Sequence, residues 1–253
     1  MNETPPDRPL LSVVVPAYDE RPTIAALLER VARAPYTKEI IVVDDASTDG
    51  TREFLEGVAR GETTYTDAEG RPVRVRVLLQ DRNRGKGAAV KRGFQAANGE
   101  VVLVQDADLE YDPADYPLLV EPIRARLADV VYGSRFLGGP QRVHMFWHYM
   151  GNKLVTLLSN MLTNLKLSDM ETGYKAFRRE VVESIGPTLV SERFGFEPEI
   201  TAKVARAGYR IYETPIAYHG RDYDEGKKIT WKDGLAAAVH IIRFRFSRNG
   251  PRR

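Results

Sequence analysis

In the stretch VVLVQDADLEYDP (101–113), an apolar run is followed by three acids at alternate positions, Asp106, Asp108 and Glu110. Residues i, i+2 and i+4 of an extended segment share one side, so this spacing predicts converging carboxylates. Crowded carboxylates raise one another's pKa unless a cation neutralises them. A hard divalent ion, Mg²⁺ or Mn²⁺, does so and keeps coordination positions open for substrate phosphates. The competing reading is that one acid caps the next helix, since Asp112-Pro113 is itself a helix start. His144 and His148, four residues apart, have zinc-ligand spacing, but no third ligand accompanies them.

The elements that must position these acids follow from periodicity. Short apolar runs predict strands over 11–15, 39–43, 73–79, 101–105 and 129–132. Helical patterns fall between them, over 22–34, 51–60, 86–97 and from 113 onward, and the polar stretch 61–72 reads as a loop. Alternating strands and helices, with strands apolar throughout, predict an α/β fold around a mostly parallel, Rossmann-like sheet covered on both faces. Ligands of such sheets sit beyond the carboxyl ends of the strands. The polar groups gather there: Tyr18-Asp19-Glu20, Asp44-Asp45, Asn83-Arg84-Gly85 and Asp106-Ala107-Asp108. The first strand-turn reads PAYDE where a nicotinamide dehydrogenase needs a glycine-rich fingerprint, which argues against that class.

A net charge of +2 over 253 residues gives no footprint for nucleic acid, and without cysteine there are neither disulfides nor thiolate metal sites. The segment MNETPPDRPL is polar and proline-rich, unlike a signal peptide, and residues 1–9 are expected to be disordered ahead of a domain over 10–230. Nine Lys or Arg face four acids between residues 221 and 253, so a basic amphipathic helix and tail are expected over 231–253. Its apolar positions are Trp231, Leu235, Val239, Ile242 and Phe246, with Arg243, Arg245 and Arg248 alongside. Residues 145–165 repeat the pattern, with Phe146, Met150, Leu154, Leu157, Met161 and Leu165 on one face. Such helices either pack on each other or lie in a membrane interface, and a paired platform can do both.

Eight ordered segments make a more specific pattern. They are VVVPAYDE (13–20), VVDDASTDGT (42–51), NRGKGAAVKRGFQAANGE (83–100), QDADLEYDP (105–113), YGSR (132–135), SDMETGYKAFRRE (168–180), GFEPEI (195–200) and AYHGRDYDEGKKI (217–229). Together they resemble the family 2 glycosyltransferases of the GT-A fold, and within them the polyprenyl-phosphate glycosyltransferases, the group of the dolichol-phosphate mannose synthases. The resemblance implies a metal-dependent, inverting transfer of a hexose from a GDP- or UDP-linked donor to a polyprenyl phosphate at the cytoplasmic membrane face. It implies a nucleotide pocket of Pro16, Tyr18, Glu20, Asp44, Asp45, Lys86 and Asp106, and a metal site of Asp106, Asp108 and Glu110. Arg84-Gly85-Lys86-Gly87 opens a helix and either cradles an anion or permits close packing.

Asp106, Asp108 and Arg135 would be the catalytic group. Arg135, Arg142, Arg221 and Lys227, with Lys228, would receive the acceptor phosphate, which is already an anion and needs no general base. Asp169, Thr172, Glu197 and Glu199 would shape the sugar pocket. A hydroxyl acceptor, on a glycan or soluble metabolite, would instead need Glu197 or Glu199 as base. A silent nucleotide-sugar-binding module is the rival from another class, and it has little use for three neighbouring carboxylates.

Overall fold

The computed structural model describes residues 9–138, 146–193, 195–220 and 231–246. Most of the expected disordered segment, and Arg142, His144, Arg221, Lys227 and Lys228, lie outside the described residues.

The strands β1 (Leu11–Ala17), β2 (Lys38–Asp44) and β5 (Val101–Val104) are buried along their whole length. Side chains alternate across them, yet both sides are apolar. Val13, Val15, Ile40, Val42, Val101 and Leu103 enter one core, while Val14, Val102 and Val104 enter the other. That is why these strands read as continuous hydrophobic runs. The first core packs under α1 (Ile24–Arg33) and α4 (Tyr116–Arg124), and the second under α3 (Lys86–Ala96), α6 (Arg179–Ile185) and α7 (Phe196–Arg206). Helix α2 (Thr51–Ala59) follows β2.

The eight-stranded sheet has the order β3-β4-β2-β1-β5-β7-β6-β8, where β3 is Tyr65–Thr66, β4 is Pro72–Leu79, β6 is Val130–Ser134, β7 is Lys175–Arg178 and β8 is Ile211–Pro215. The pairings β4-β2, β2-β1, β1-β5 and β6-β8 are parallel. Strand β7, unforeseen in the sequence, inserts antiparallel between β5 and β6. It therefore delivers the 168–174 segment to the ends of β5 and β6, beside the acid-bearing turn. The expected loop 61–72 contains β3, a two-residue antiparallel edge on β4.

The two predicted amphipathic helices are α5 (Phe146–Thr163) and α8 (Trp231–Phe246), which pack on each other and on α7. Phe146, Leu154, Leu157 and Met161 of the predicted α5 face are exposed, as are Val239, Ile242 and Phe246 of α8. Leu165, assigned to the same face, instead packs on the core beside Val155, Leu158 and Leu162. No helix among the described residues is long and apolar enough to cross a membrane.

Candidate active site

The acid triplet does not converge. Strand β5 stops at Val104, and the chain then turns, with Leu109 in the left-handed region at φ 63°. Alternate residues of a turn do not share a side, so the spacing that predicted a three-carboxylate cage fails. Asp106 takes Lys86 Nζ on both oxygens, at 2.8 and 3.0 Å. Asp108 Oδ1 accepts the Glu110 N–H at 3.1 Å. Glu110 is drawn off to Tyr218, whose hydroxyl donates to Oε2 at 2.8 Å. Among the described residues, no group of three His, Asp or Glu side chains is arranged to hold a metal ion. Asp106 and Asp108 still fit a hard ion of the kind that takes one or two carboxylates and completes its shell with substrate phosphates and water.

Lys86 is the hub of this corner. Its ammonium also lies 3.1 Å from Glu197 Oε1. Burial opposes its charge, but Asp106 and then Glu197 more than offset that, so its pKa lies well above the ordinary lysine value. Gly173 permits the arrangement. A methyl group there would overlap the Asp106 carboxylate and stand 2.9 Å from Lys86 Nζ.

Around the expected nucleotide pocket, Pro16 is buried within β1 and Tyr18 is 39% exposed. Asp19, at φ 51°, turns the chain and accepts the Thr48 N–H at 2.7 Å, while Glu20 Oε2 accepts the Thr23 hydroxyl at 3.0 Å. Asp44 is fully buried and holds Ser47 N and Arg52. Asp45, 2% exposed, accepts the Arg84 and Gly85 N–H groups at 2.8 and 2.6 Å and Gln80 Nε2 at 2.6 Å. Asp44 and Asp45 thus brace the loops from beneath.

Of the two readings of residues 84–87, close packing has direct support: the Arg84 and Gly85 N–H groups already serve Asp45, and Ala88 N–H donates to Glu192 O at 3.1 Å. The glycines exist for close packing. A Cβ on Gly85 would meet Glu192 O at 2.6 Å, and one on Gly87 would overlap Ser191 O.

Arg135 binds Asp169 with a two-pronged fork, Nε to Oδ2 and Nη2 to Oδ1, both at 2.7 Å. Its backbone N–H adds a third bond at 3.1 Å, and its guanidinium lies 5.3 Å from the Tyr218 ring centroid. Asp169 is fully buried, and although burial raises its pKa, Arg135 more than reverses this and holds it below the usual carboxylate value. The bidentate edge expected for an acceptor phosphate is therefore occupied, and Nη1 is the edge Asp169 does not use. Thr172 is buried, with its hydroxyl accepting Tyr174 N–H at 3.2 Å and its carbonyl accepting Lys175 Nζ.

Glu197 and Glu199 diverge, as residues two apart on a helix must. Glu197 joins Lys86. Glu199 does not join it: it is fully buried and accepts Val190 N–H, Ser191 N–H and Lys203 Nζ at 2.9, 2.7 and 2.6 Å. It anchors the 188–193 strap that lies against Gly85 and Gly87. Lys203→Met would leave this carboxylate buried without its cation and is expected to cost about 3–5 kcal/mol, measured by urea unfolding. A loss below about 1 kcal/mol would mean the two backbone donors suffice.

Three residues of the site escaped the sequence reading. Glu171 and Lys175 stand four apart inside the SDMETGYKAFRRE segment, and Tyr218 bridges Glu110 and Arg135. Lys175 is fully buried, donates to Met170 O and Thr172 O, and lies 4.6 Å from the Tyr132 ring centroid. Glu171 Oε1 is buried with no hydrogen-bond partner in the structure. Burial, and then Glu197, push the Glu171 pKa up to about 8. The available signal was charge inside an otherwise buried motif, two residues from Asp169.

A profile of the family described as "Glycosyl transferase family 2" matches residues 12–186. The chain is 32% identical over 222 residues to the undecaprenyl-phosphate mannosyltransferase of Micrococcus luteus, covering 85% of both chains. It is 32% identical over 220 residues to the polyprenol monophosphomannose synthase of Mycolicibacterium smegmatis, covering 85% of this chain and 79% of that one. It is also 32% identical to the dodecaprenyl-phosphate galacturonate synthase of Rhizobium johnstonii, over 86% of this chain and 61% of that one. Among solved structures, glucosyl-3-phosphoglycerate synthase from Mycobacterium tuberculosis, in complex with Mn²⁺, UDP and phosphoglyceric acid, superposes with a TM-score of 0.67. That match has 21% identity and covers 96% of this chain and 80% of the other, a likeness of fold.

Proposed function

The chain belongs to glycosyl transferase family 2, and from that premise we propose that it moves a hexose from a nucleotide sugar to a polyprenyl phosphate, with inversion at the anomeric carbon. It is a glycosyltransferase of GT-A fold. The single observation that carries the acceptor reading is that the acids suggested as a general base are already ion-paired: Glu197 to Lys86 and Glu199 to Lys203. Asp169 is likewise held by Arg135. A hydroxyl nucleophile must lose a proton to such a base, whereas a phosphate nucleophile has none to lose.

In this reading Tyr18 and Glu20 face the nucleoside, and Asp44 and Asp45 act through the loops they brace. Asp106 and Asp108 would hold Mg²⁺ or Mn²⁺, whose charge would offset that of the departing nucleoside diphosphate. Lys86 pairs with both oxygens of Asp106 and fixes its direction. Arg135 presents Nη1 toward the acceptor phosphate while Asp169 locks its orientation, and Arg142, Arg221 and Lys227, which lie outside the described residues, are proposed as further phosphate ligands from their sequence motifs alone. The exposed apolar face of α5 and α8, with Arg243 and Arg245 in the last turn of α8, supports contact with the membrane that carries the lipid.

The test is a panel of UDP- and GDP-hexoses with Mn²⁺ and a short-chain polyprenyl phosphate, following nucleotide release and lipid product together. One donor is expected to give both in equal amounts, dependent on the lipid. Release into water alone, whatever the donor, would defeat the proposal.

A further inference from the structure

We infer that Glu171 faces the sugar being transferred and sets its class, selecting a neutral hexose over a hexuronate. This rests on the reading of the site as a sugar-nucleotide transferase. Two ion pairs mark the ends of the reaction path: Lys86 with Asp106 on the donor-phosphate side, and Arg135 with Asp169 on the acceptor side. The sugar must lie between them. The segment that joins the two ends is 169–173, since Asp169 binds Arg135 and Gly173 abuts Asp106 and Lys86. Glu171 is its midpoint.

The side chain has the properties of a sugar contact with no ligand bound. Its Oε1 is shut off from solvent without a hydrogen-bond partner, while the residue as a whole keeps some exposure. An unpaired buried carboxyl oxygen is costly and calls for a partner. A sugar hydroxyl can supply one, because it both donates and accepts. The neighbouring cations are committed: Lys86 to Asp106 and Glu197, Lys175 to two backbone carbonyls, and Arg135 to Asp169. Burial and the like charges of Glu197 and Asp169 disfavour a carboxylate at this position, and they outweigh Lys175 and Arg135, which favour one. A sugar carboxylate would meet the same burial and the same two like charges that already disfavour ionisation of Glu171, whereas a neutral hydroxyl would not. Family membership alone leaves the sugar open, since the relatives' names include both mannose and galacturonate.

The experiment is binding calorimetry with Mn²⁺ and no acceptor. The probes are UDP, UDP-glucose and UDP-glucuronate, and GDP, GDP-mannose and GDP-mannuronate. They are applied to the wild type, Glu171→Ala and Glu171→Gln, with melting curves as a control for folding. For the base that binds, the wild type is expected to prefer the neutral sugar nucleotide over the uronate by at least about tenfold. Glu171→Ala is expected to lose about tenfold on the neutral sugar nucleotide and nothing on the bare diphosphate. Glu171→Gln, which keeps a donor and an acceptor, stays within roughly threefold of the wild type.

Equal wild-type affinity for hexose and uronate would overturn the inference. So would an alanine variant that binds the hexose normally, or one that weakens bare diphosphate and sugar nucleotide by the same factor. If these affinities behave as expected while polyprenyl phosphate yields no product, the acceptor reading alone fails.

Discussion

Gly173→Ala is expected to lower transfer at least about a hundredfold while leaving the fold standing. The backbone at 173 runs so close to the acid turn that any side chain overlaps the Asp106 carboxylate, and the Lys86 ammonium would be 2.9 Å from the new carbon. Asp106 cannot move away cheaply, because Lys86 grips both of its oxygens and is itself tied to Glu197. The methyl group must therefore shift the pair by an ångström or so, and a misplacement of that size in a reacting centre costs about two orders of magnitude. The backbone N–H of Gly173 still donates to the Tyr111 hydroxyl, so β7 keeps its place. Steady-state kinetics beside circular dichroism decide the matter. Near-normal activity in a folded Gly173→Ala protein would mean that the Lys86–Asp106 pair plays no part in turnover.

The second large effect concerns Asp108. Asparagine keeps the Oδ1 that accepts the Glu110 N–H, so the turn survives while the charge is removed. If Asp108 helps to hold a divalent ion at the donor diphosphate, Asp108→Asn is expected to reduce transfer roughly a thousandfold or more, with an unchanged melting temperature. Chelation by EDTA is expected to silence the wild type, with recovery on adding Mn²⁺ or Mg²⁺. Glu110→Gln is expected to be much milder, because that carboxylate is engaged by Tyr218. Full activity in excess EDTA would remove the ion from the account, and a Glu110 defect as deep as that of Asp108 would restore the three-acid site.

The parallel core was legible because its strands are apolar on both faces and bounded by Pro, Asp and Gly. Strand β7 was hidden by its composition. It begins with Lys175 and ends with Arg178, and only the fold reveals that two backbone carbonyls satisfy the buried Lys175 ammonium. The acid triplet misled because alternation implies a shared face only in extended backbone, and Leu109 breaks it. FEPE misled in the opposite way: the two glutamates look equivalent, yet helical geometry sends one to Lys86 and the other to the strap over Gly85 and Gly87. The exposed α5 stripe of Leu154, Leu157 and Met161 was readable, since spacing alone put them together. Arg135 stood out by its motif, but nothing in the sequence shows that its fork closes on Asp169.

The measurement that tests the central claim most directly compares polyprenyl phosphate with the corresponding polyprenol as acceptor, using the donor that binds best and following sugar incorporated into lipid. The account predicts product with the phosphate and none with the alcohol, with no dependence on an added general base. Product formed on the alcohol, and lost in Glu197→Gln, would contradict it and make this a base-assisted transfer to a hydroxyl.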